Sequence, residues 1–155
     1  MDHFCDFALS PWTVPGLQKP FTLRRANRAL VLVRRIVADV VADFSRMQEL
    51  QEILELEQQF GSLEYLRQVH QQMVAVAGRL RGCLEELAAV GVVLRDFARG
   101  VVDFPARVAG RDICFCWRLG EQAVQHWHRP NEGLAERKPI SELVGSVVPS
   151  PVKNA

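Results

Sequence analysis

The chain has 155 residues, of which 48% are hydrophobic and 24% charged, a composition typical of a folded globular domain. Lys and Arg number 19 and Asp and Glu 18, so the net charge of +1 does not favour binding to nucleic acid or anionic lipid. The start, MDHFCDFALSPWTVPG, lacks the basic and apolar regions of a secretion signal, and no stretch approaches the ~20 apolar residues of a membrane span. We therefore expect a cytoplasmic protein without a nucleic-acid or membrane partner.

The four cysteines are Cys5, Cys83, Cys114 and Cys116, and their spacing is not that of a disulfide framework. We therefore expect all four cysteines to be reduced thiols.

Residues 1–20 contain Pro11, Pro15, Gly16 and Pro20, which interrupt any regular element. This segment is predicted to be an N-terminal extension.

A long first helix is predicted from Thr22, a good N-cap, because neither Gly nor Pro occurs between Leu23 and Gln59. Its apolar residues recur in steps of three and four, with Gln51 as the one polar break. They are Leu23, Ala26, Leu30, Val33, Val37, Val40, Phe44, Met47 and Leu54. In the first half, Ala29, Leu32, Ile36 and Val41 widen this face beyond what one partner helix covers, which implies a second packing surface.

A second helix is predicted after the short break Phe60-Gly61-Ser62, with Ser62 as N-cap and an end at Gly91. Its expected seam consists of Leu63, Leu66, Met73, Ala77, Leu80, Leu84 and Leu87. A connection this short favours an antiparallel helical hairpin over residues 22–90. Ala75, Gly78 and Gly82 form a line of small residues that would let another backbone approach, either the C-terminal unit or a dimer partner.

Charge is divided along the first helix. The basic residues Lys19, Arg24, Arg25, Arg28, Arg34 and Arg35 precede the acidic residues Asp39, Asp43, Glu49, Glu52, Glu55 and Glu57. Cations at a helix N-terminus oppose the macrodipole, so the arrangement calls for another explanation. In an antiparallel pair of copies the basic half of one helix would lie on the acidic half of the other, which favours a homodimer. The alternative is a charge run that simply faces solvent.

After Gly91 the pattern changes to short β-type runs at Val92–Leu94, Val101–Phe104, Ile113–Trp117 and Val124–Trp127. Residues 108–111 suit a hairpin turn, and Pro105 is expected to end or edge the second strand. The fold class is therefore α+β: a long antiparallel two-helix hairpin followed by a small antiparallel β-unit over residues 91–140. Together they form a single domain over residues 21–140, and residues 141–155 are predicted to be a loosely held tail.

The segment CFCWRLGEQAVQHWH, residues 114–128, is the densest cluster of reactive side chains. Antiparallel pairing of Cys116 with His126 and of Cys114 with His128 would bring two thiols and two imidazoles onto one face. These are the ligand types of a tetrahedral zinc site, although structural zinc sites favour C-x₂₋₄-C spacing. The alternative is that both cysteines are ordinary core residues.

Two further site hypotheses use charged residues of the β-unit. Asp103, Arg118, Glu121 and His128 offer acid, base and anion-binding groups, and the alternative for them is a salt-bridge network. Arg118 and Arg137 could donate hydrogen bonds to a small phosphate or carboxylate ligand. The candidate ligand-binding residues are therefore Asp103, Arg118, Glu121 and Arg137.

Five short motifs follow one another along the chain: FTLRRAN (21–27), GVVLRDFARGVVDFPA (91–106), CWRLGE (116–121), WH (127–128) and GLAERKPI (133–140). Through them the chain resembles a known family, the domain-of-unknown-function family 2203, and the resemblance covers about residues 21–140. It implies the organisation of two helices plus a β-unit, and it carries no established activity.

The resemblance also implies which residues match the family pattern. They are Asp103, Phe104, Pro105, Cys116, Trp117, Arg118, Gly120, Glu121, Trp127, His128, Gly133, Arg137 and Pro139. Cys114 and His126 lie outside that pattern, which leaves a smaller metal site of Cys116, Glu121 and His128 as a variant. The chain departs from the pattern at Arg24 and Arg25 in the first turn and at Leu134 and Glu136 in the C-terminal loop.

Three functions follow from these features. The preferred hypothesis is a noncatalytic structural or interaction protein that dimerises through its helical hairpin into a four-helix bundle. The second is a metal-binding protein of the zinc type, with or without a catalytic role, that uses Cys114, Cys116, Glu121, His126 and His128. The third is a protein that binds a small anionic ligand.

Overall fold

A computed structural model of the protein describes residues 19–147. Most of the expected extension, including Cys5, and the end of the expected tail, residues 148–155, lie outside the described residues. The elements in chain order are helices α1 Leu23–Glu57 and α2 Leu63–Val90, strands β1 Val93–Asp96, β2 Val101–Val108, β3 Arg111–Arg118, β4 His126–His128 and β5 Lys138–Pro139, and helix α3 Ile140–Val147. This is the predicted α+β arrangement.

The ends of the helical hairpin are set by the predicted capping residues. The Thr22 hydroxyl accepts a hydrogen bond from Arg25 N at 3.1 Å, and Ser62 Oγ accepts one from Tyr65 N at 3.1 Å. Each cap satisfies a backbone donor that the first helical turn leaves unpaired. Gly91 ends α2 in the left-handed conformation, with φ of 96°, where a side chain would be strained.

The buried stripes of the two helices agree only in part with the predicted seams. In the first half of α1 the seam residues Ala26, Leu30, Val33, Val37 and Val40 are buried as predicted. In the distal half the buried contact consists of Leu50, Val69 and Val76, three residues that the predicted seams omitted, whereas Leu63 and Ala77 are exposed. An α-helix has 3.6 residues per turn, so a contact stripe drifts by ~20° per heptad away from a seam drawn with a fixed heptad spacing.

The five strands form an antiparallel sheet in the order β1-β2-β3-β4-β5. The turn between β2 and β3 is Ala109-Gly110, both with positive φ (51° and 75°), as a two-residue hairpin requires. The predicted pairing of β3 with β4 is confirmed, because Cys114 lies opposite His128 and Cys116 opposite His126.

Strand β2 does not end at Pro105 but continues to Val108. Strand β1 pairs only as far as Asp103, so Pro105 lies where that side of β2 has no strand neighbour. Its carbonyl accepts a hydrogen bond from Phe21 N at 2.7 Å, which shows that the backbone groups of Pro105 point away from β3. The missing N–H therefore costs no ladder hydrogen bond.

The sheet covers the wide apolar face on the first half of α1. Its inward residues share one hydrophobic core with α1 and include Val102, Phe104, Ala106, Ile113, Phe115, Trp117 and Trp127. Asn27 ties the loop before β4 to α1, since its Oδ1 accepts from Val124 N at 2.8 Å. Gly100 lies so close to α1 that a Cβ there would be 2.8 Å from Val37 Cγ1. The second packing surface implied by the sequence is therefore the protein's own sheet.

The line of small residues on α2 is not used by the C-terminal unit. A Cβ added at Gly78 or Gly82 would meet nothing within 4 Å among the described residues.

The start of the expected tail differs from the prediction of a loosely held segment. Residues 140–147 form helix α3, from which Ile140 and Leu143 pack against the core. Within residues 19–147 no helix has the length and apolar character needed to cross a bilayer.

Candidate functional site

The two faces of the sheet differ sharply in chemistry because side chains alternate along each strand. The face toward α1 is apolar. On the opposite face, Asp103 lies across from Cys116, Cys116 across from His126, and Cys114 across from His128. We call Asp103, Cys114, Cys116, His126 and His128 the outer-face cluster. Cys114, Cys116, Asp103 and His128 are at most 1% exposed, so this polar face is itself buried.

An ion pair between Asp103 and His128 is the centre of the cluster. His128 Nε2 lies 2.8 Å from Asp103 Oδ1, and its Nδ1 lies 2.6 Å from the carbonyl oxygen of Arg129. Arg95 Nε donates to the other carboxylate oxygen, Oδ2, at 2.8 Å. Both imidazole nitrogens face acceptors, an arrangement that favours the protonated ring.

Arg95 reaches Asp103 because β1 is irregular at this residue. Leu94 pairs with Val102 and Asp96 with Val101, so Arg95 is an extra residue without a partner on β2. A β-bulge of this kind redirects a side chain out of the regular alternation.

Cys114 completes a compact group of three potential metal ligands. Its Sγ, a carboxylate oxygen of Asp103 and a ring nitrogen of His128 all lie within 4.8 Å of one another. The three residues come from β2, β3 and β4, three neighbouring strands of one sheet, so the backbone ladder holds their relative positions.

The protonation states of this group are strongly shifted. Burial alone would lower the pKa of His128, but its hydrogen bonds to Asp103 and to the Arg129 carbonyl, together with the nearby Cys116 and the Asp103 charge, raise that pKa to about 10. Burial, assisted by the Asp103 charge, raises the pKa of Cys114 to about 12. At neutral pH the group therefore consists of an imidazolium, a neutral thiol and a partner carboxyl group.

A cavity of about 310 Å³ opens onto Asp103 and His128. Its other walls are the turn from β1 to β2, with Arg95 and Arg99, and the segment Glu132–Leu134, which folds over the outer face of the sheet. Asp103 and His128 lie in the wall of this cavity, although each residue is at most 1% exposed.

The remaining predicted site residues form a second, separate pair. Arg137 NH1 and NH2 donate to Glu121 Oε1 and Oε2 at 2.7 and 2.9 Å. Burial would raise the pKa of Glu121, but the hydrogen bonds from Arg137 and from the Arg118 backbone lower it. The Arg118 side chain is not part of this contact, and its residue is exposed. His126 Nδ1 lies 3.4 Å from Glu121 Oε2, within ion-pair distance, but it has no hydrogen-bond partner among the described residues.

The structure therefore divides the predicted site residues into two groups. It brings Cys114 and His128 together as the zinc hypothesis required, but with Asp103, which the sequence placed in a different constellation. Glu121 and Arg137 belong to the second pair, with His126 beside it. Arg95 was not singled out from the sequence, although the run VLRD (93–96) before VVD (101–103) places an arginine and a carboxylate on two strands joined by a short turn.

One comparison with known proteins bears on the identity of this fold. Residues 19–140 match the family model DUF2203, described as an uncharacterized conserved protein. The chain belongs to the DUF2203 family. No curated protein and no solved structure matches the chain. The description of the DUF2203 family names no activity.

Proposed function

We propose that this DUF2203 protein binds a divalent metal ion of the zinc type through Asp103, Cys114 and His128. The observation that carries the proposal is the mutual distance of at most 4.8 Å between one ligand atom of each residue in a buried site. A carboxylate oxygen, a thiolate and an imidazole nitrogen are the ligand types that zinc prefers.

The distances require only small shifts to accept an ion. Ligand atoms that surround a tetrahedral zinc at about 2.0–2.3 Å lie roughly 3.3–3.8 Å apart. His128 Nε2 and Asp103 Oδ1 are 2.8 Å apart, so they would separate slightly, whereas the widest pair, within 4.8 Å, would approach. Side-chain rotations of this size need no change in the strands.

The groups around the three residues already have the roles of an outer coordination shell. With Nε2 on the ion, His128 Nδ1–H would still donate to the Arg129 carbonyl, which fixes the ring orientation. Arg95 would keep its hydrogen bond to Asp103 Oδ2 and leave Oδ1 for the ion. Three protein ligands would leave one position of a tetrahedral ion for a fourth ligand.

The proposal implies a strong pH dependence of binding. The ion must displace the proton of His128, whose pKa is about 10, and the proton of Cys114, whose pKa is about 12. Binding therefore releases protons and tightens as pH rises.

We place this function in the cytoplasm, because Cys83, Cys114 and Cys116 are free thiols.

The test is the metal content of protein purified without chelator, together with its melting temperature with and without added zinc. We expect one zinc per chain and a higher melting temperature with zinc. Cys114→Ser and His128→Ala should lose the metal. Cys116→Ser is the matched control, since Cys116 is equally buried on the same strand face but lies outside the group of three.

Two outcomes would overturn the assignment. One is a metal-free wild-type protein whose melting temperature does not change with zinc. The other is loss of metal in Cys116→Ser with retention in Cys114→Ser, which would favour the variant site of Cys116, Glu121 and His128. Cys114 lies outside the residues through which the chain resembles its family, so the proposal concerns this chain and not every member.

The hypothesis of a small anionic ligand held by Arg118 and Arg137 gains no support from the geometry. Both terminal nitrogens of Arg137 are already hydrogen-bonded to Glu121.

A noncatalytic role agrees with the raised pKa of Cys114, because a neutral thiol is a poor nucleophile. Dimerisation through the hairpin would depend on a different surface.

A further inference from the structure

Helix α1 carries a second heptad stripe on its solvent side, distinct from the stripe that packs against α2 and the sheet. We call it the outer seam. Its members follow steps of four and three throughout, and all ten are exposed: Arg24, Arg28, Val31, Arg35, Ala38, Ala42, Ser45, Glu49, Glu52 and Leu56. Its apolar members Val31 and Leu56 are 70% and 74% exposed. A stripe with this spacing lies along one side of a supercoiled helix and can contact one partner helix along its length.

The charges of the outer seam are arranged for an antiparallel partner with the same sequence. A two-fold axis at position 40 would place Arg28 opposite Glu52 of a second copy, Val31 opposite Glu49 and Ala38 opposite Ala42. In each half only Arg28 lies directly opposite a glutamate, Glu52. Glu49 lies one seam position from the residue opposite Arg35, which is Ser45, and Arg24 faces Leu56. Because the axis is two-fold, the same contacts form in both halves of the interface.

These arginines are available for a partner. Among residues 19–147, Arg24, Arg28, Arg35 and Glu52 form no ion pair, whereas Glu49 makes only an exposed contact with Arg46 at 3.1 Å. The bonds made by neighbouring basic residues use other groups: Arg25 donates to the Pro20 carbonyl, and Arg34 to the Gln122 carbonyl. Arg24, Arg28, Arg35 and Glu52 are therefore free to pair with charges of a second copy.

The middle of the outer seam offers room for a close approach. Ala38, Ala42 and Ser45 are small, and Ala42 borders a groove of about 500 Å³ between the two helices, whose other side is lined by Gly82. Gly78 and Gly82, where an added Cβ would meet nothing within 4 Å, extend this surface of small residues onto α2. The sheet packs elsewhere, on the buried stripe of α1, so it does not obstruct this side.

We propose that a second copy of this chain docks on the outer seam, with the two α1 helices antiparallel and related by a two-fold axis near Ala38 and Ala42. The dimer forms through the solvent side of α1, and not through the wide apolar face on its first half, which the sheet covers. One contact opposes it, because the two Asp39 carboxylates flank the axis. The proposal does not depend on metal binding.

Charge reversal tests the docking directly. The wild-type chain at micromolar concentration should have twice the mass of one chain by light scattering, and high salt should shift it toward the monomer. Arg28→Glu with Arg35→Glu should give a monomer, and so should Glu49→Arg with Glu52→Arg. Arg111→Glu is the matched control, since Arg111 is an exposed arginine on the sheet, and it should remain dimeric.

Mixing the two reversed variants separates a specific contact from a damaged fold. Each variant alone repels itself, but the acidic and basic variants attract each other, so native mass spectrometry of the mixture should show a heterodimer. The proposal would be overturned by a wild-type chain that is monomeric at micromolar concentration and stays monomeric when the concentration is raised 100-fold. A wild-type dimer unaffected by the Arg28 and Arg35 reversals would overturn it as well.

Discussion

The two faces of the sheet use the same strands for different purposes. On the inner face, Phe104 and Trp117 join the core against α1, and Phe104 packs edge-on against Phe21 with ring centroids 5.2 Å apart. On the outer face, residues one position along the same strands, such as Asp103 and Cys116, form a buried polar layer. The difference shows that a single alternating pattern can separate a face that stabilises the fold from a face that carries reactive groups.

Replacing an inner-face residue should have the largest effect on stability. Phe104→Ala removes a fully buried ring and should lower the free energy of unfolding by about 3–5 kcal/mol. Urea denaturation followed by circular dichroism measures this loss. A loss below about 1 kcal/mol would show that the inner face is not the main core.

An outer-face substitution should have a smaller effect. Asp103→Asn keeps the side-chain shape but removes the charge that His128 and Arg95 share, so we expect a loss of about 1.5–3 kcal/mol. Asp112→Asn is the control, because Asp112 makes only an exposed ion pair with Arg107, and its loss should be under about 1 kcal/mol. Equal effects of the two substitutions would contradict a specific buried network.

The outer face should also make stability depend on pH, measured in the presence of chelator. The pKa of His128 is raised from 6.5 to about 10 in the folded chain, so its stabilising contribution is complete below pH 6.5 and is lost as pH rises toward 10. The free energy of unfolding should fall by up to about 1.4 kcal/mol per pH unit in this window. Cys114 begins to contribute only as pH approaches 9, where its thiol ionises in the unfolded chain but stays protonated in the folded one.

The matched variants for this titration are His128→Gln and His70→Gln. His128→Gln should make the free energy of unfolding nearly independent of pH between pH 6.5 and 9. His70→Gln should leave the pH dependence unchanged, because His70 is exposed on α2. A wild-type stability that is constant over this range would rule out a protonated His128 in the folded chain.

Much of the fold follows from local sequence signals. Thr22 and Ser62 cap the helices as predicted, and the alternation of cysteine and histidine predicted the pairing of β3 with β4. Other features depend on tertiary context. Pro105 lies at an edge of the sheet, one of the two predicted alternatives, and β2 continues past it because β1 ends before it. Residues 141–147, the start of the predicted tail, form a helix from which Leu143 packs against the core.

The candidate site was less predictable than the fold. The thiol and imidazole of Cys114 and His128 were paired from the sequence, but Asp103 joins them only through the pairing of β2 with β3 around Pro105. Arg95 reaches the site through a bulge, which no periodicity predicts. The segment that buries the outer face, residues 129–137, contains only a short helical turn, so its position depends on contacts such as the pair of Arg137 with Glu121.

The most direct test of the central claim is cobalt absorption spectroscopy, in which Co²⁺ replaces zinc and reports its own ligands. We predict a thiolate-to-cobalt charge-transfer band and tetrahedral d–d bands at one ion per chain. Both should vanish in Cys114→Ser and persist in Cys116→Ser. A spectrum without the charge-transfer band, or a band that Cys114→Ser leaves intact, would contradict metal binding by Asp103, Cys114 and His128.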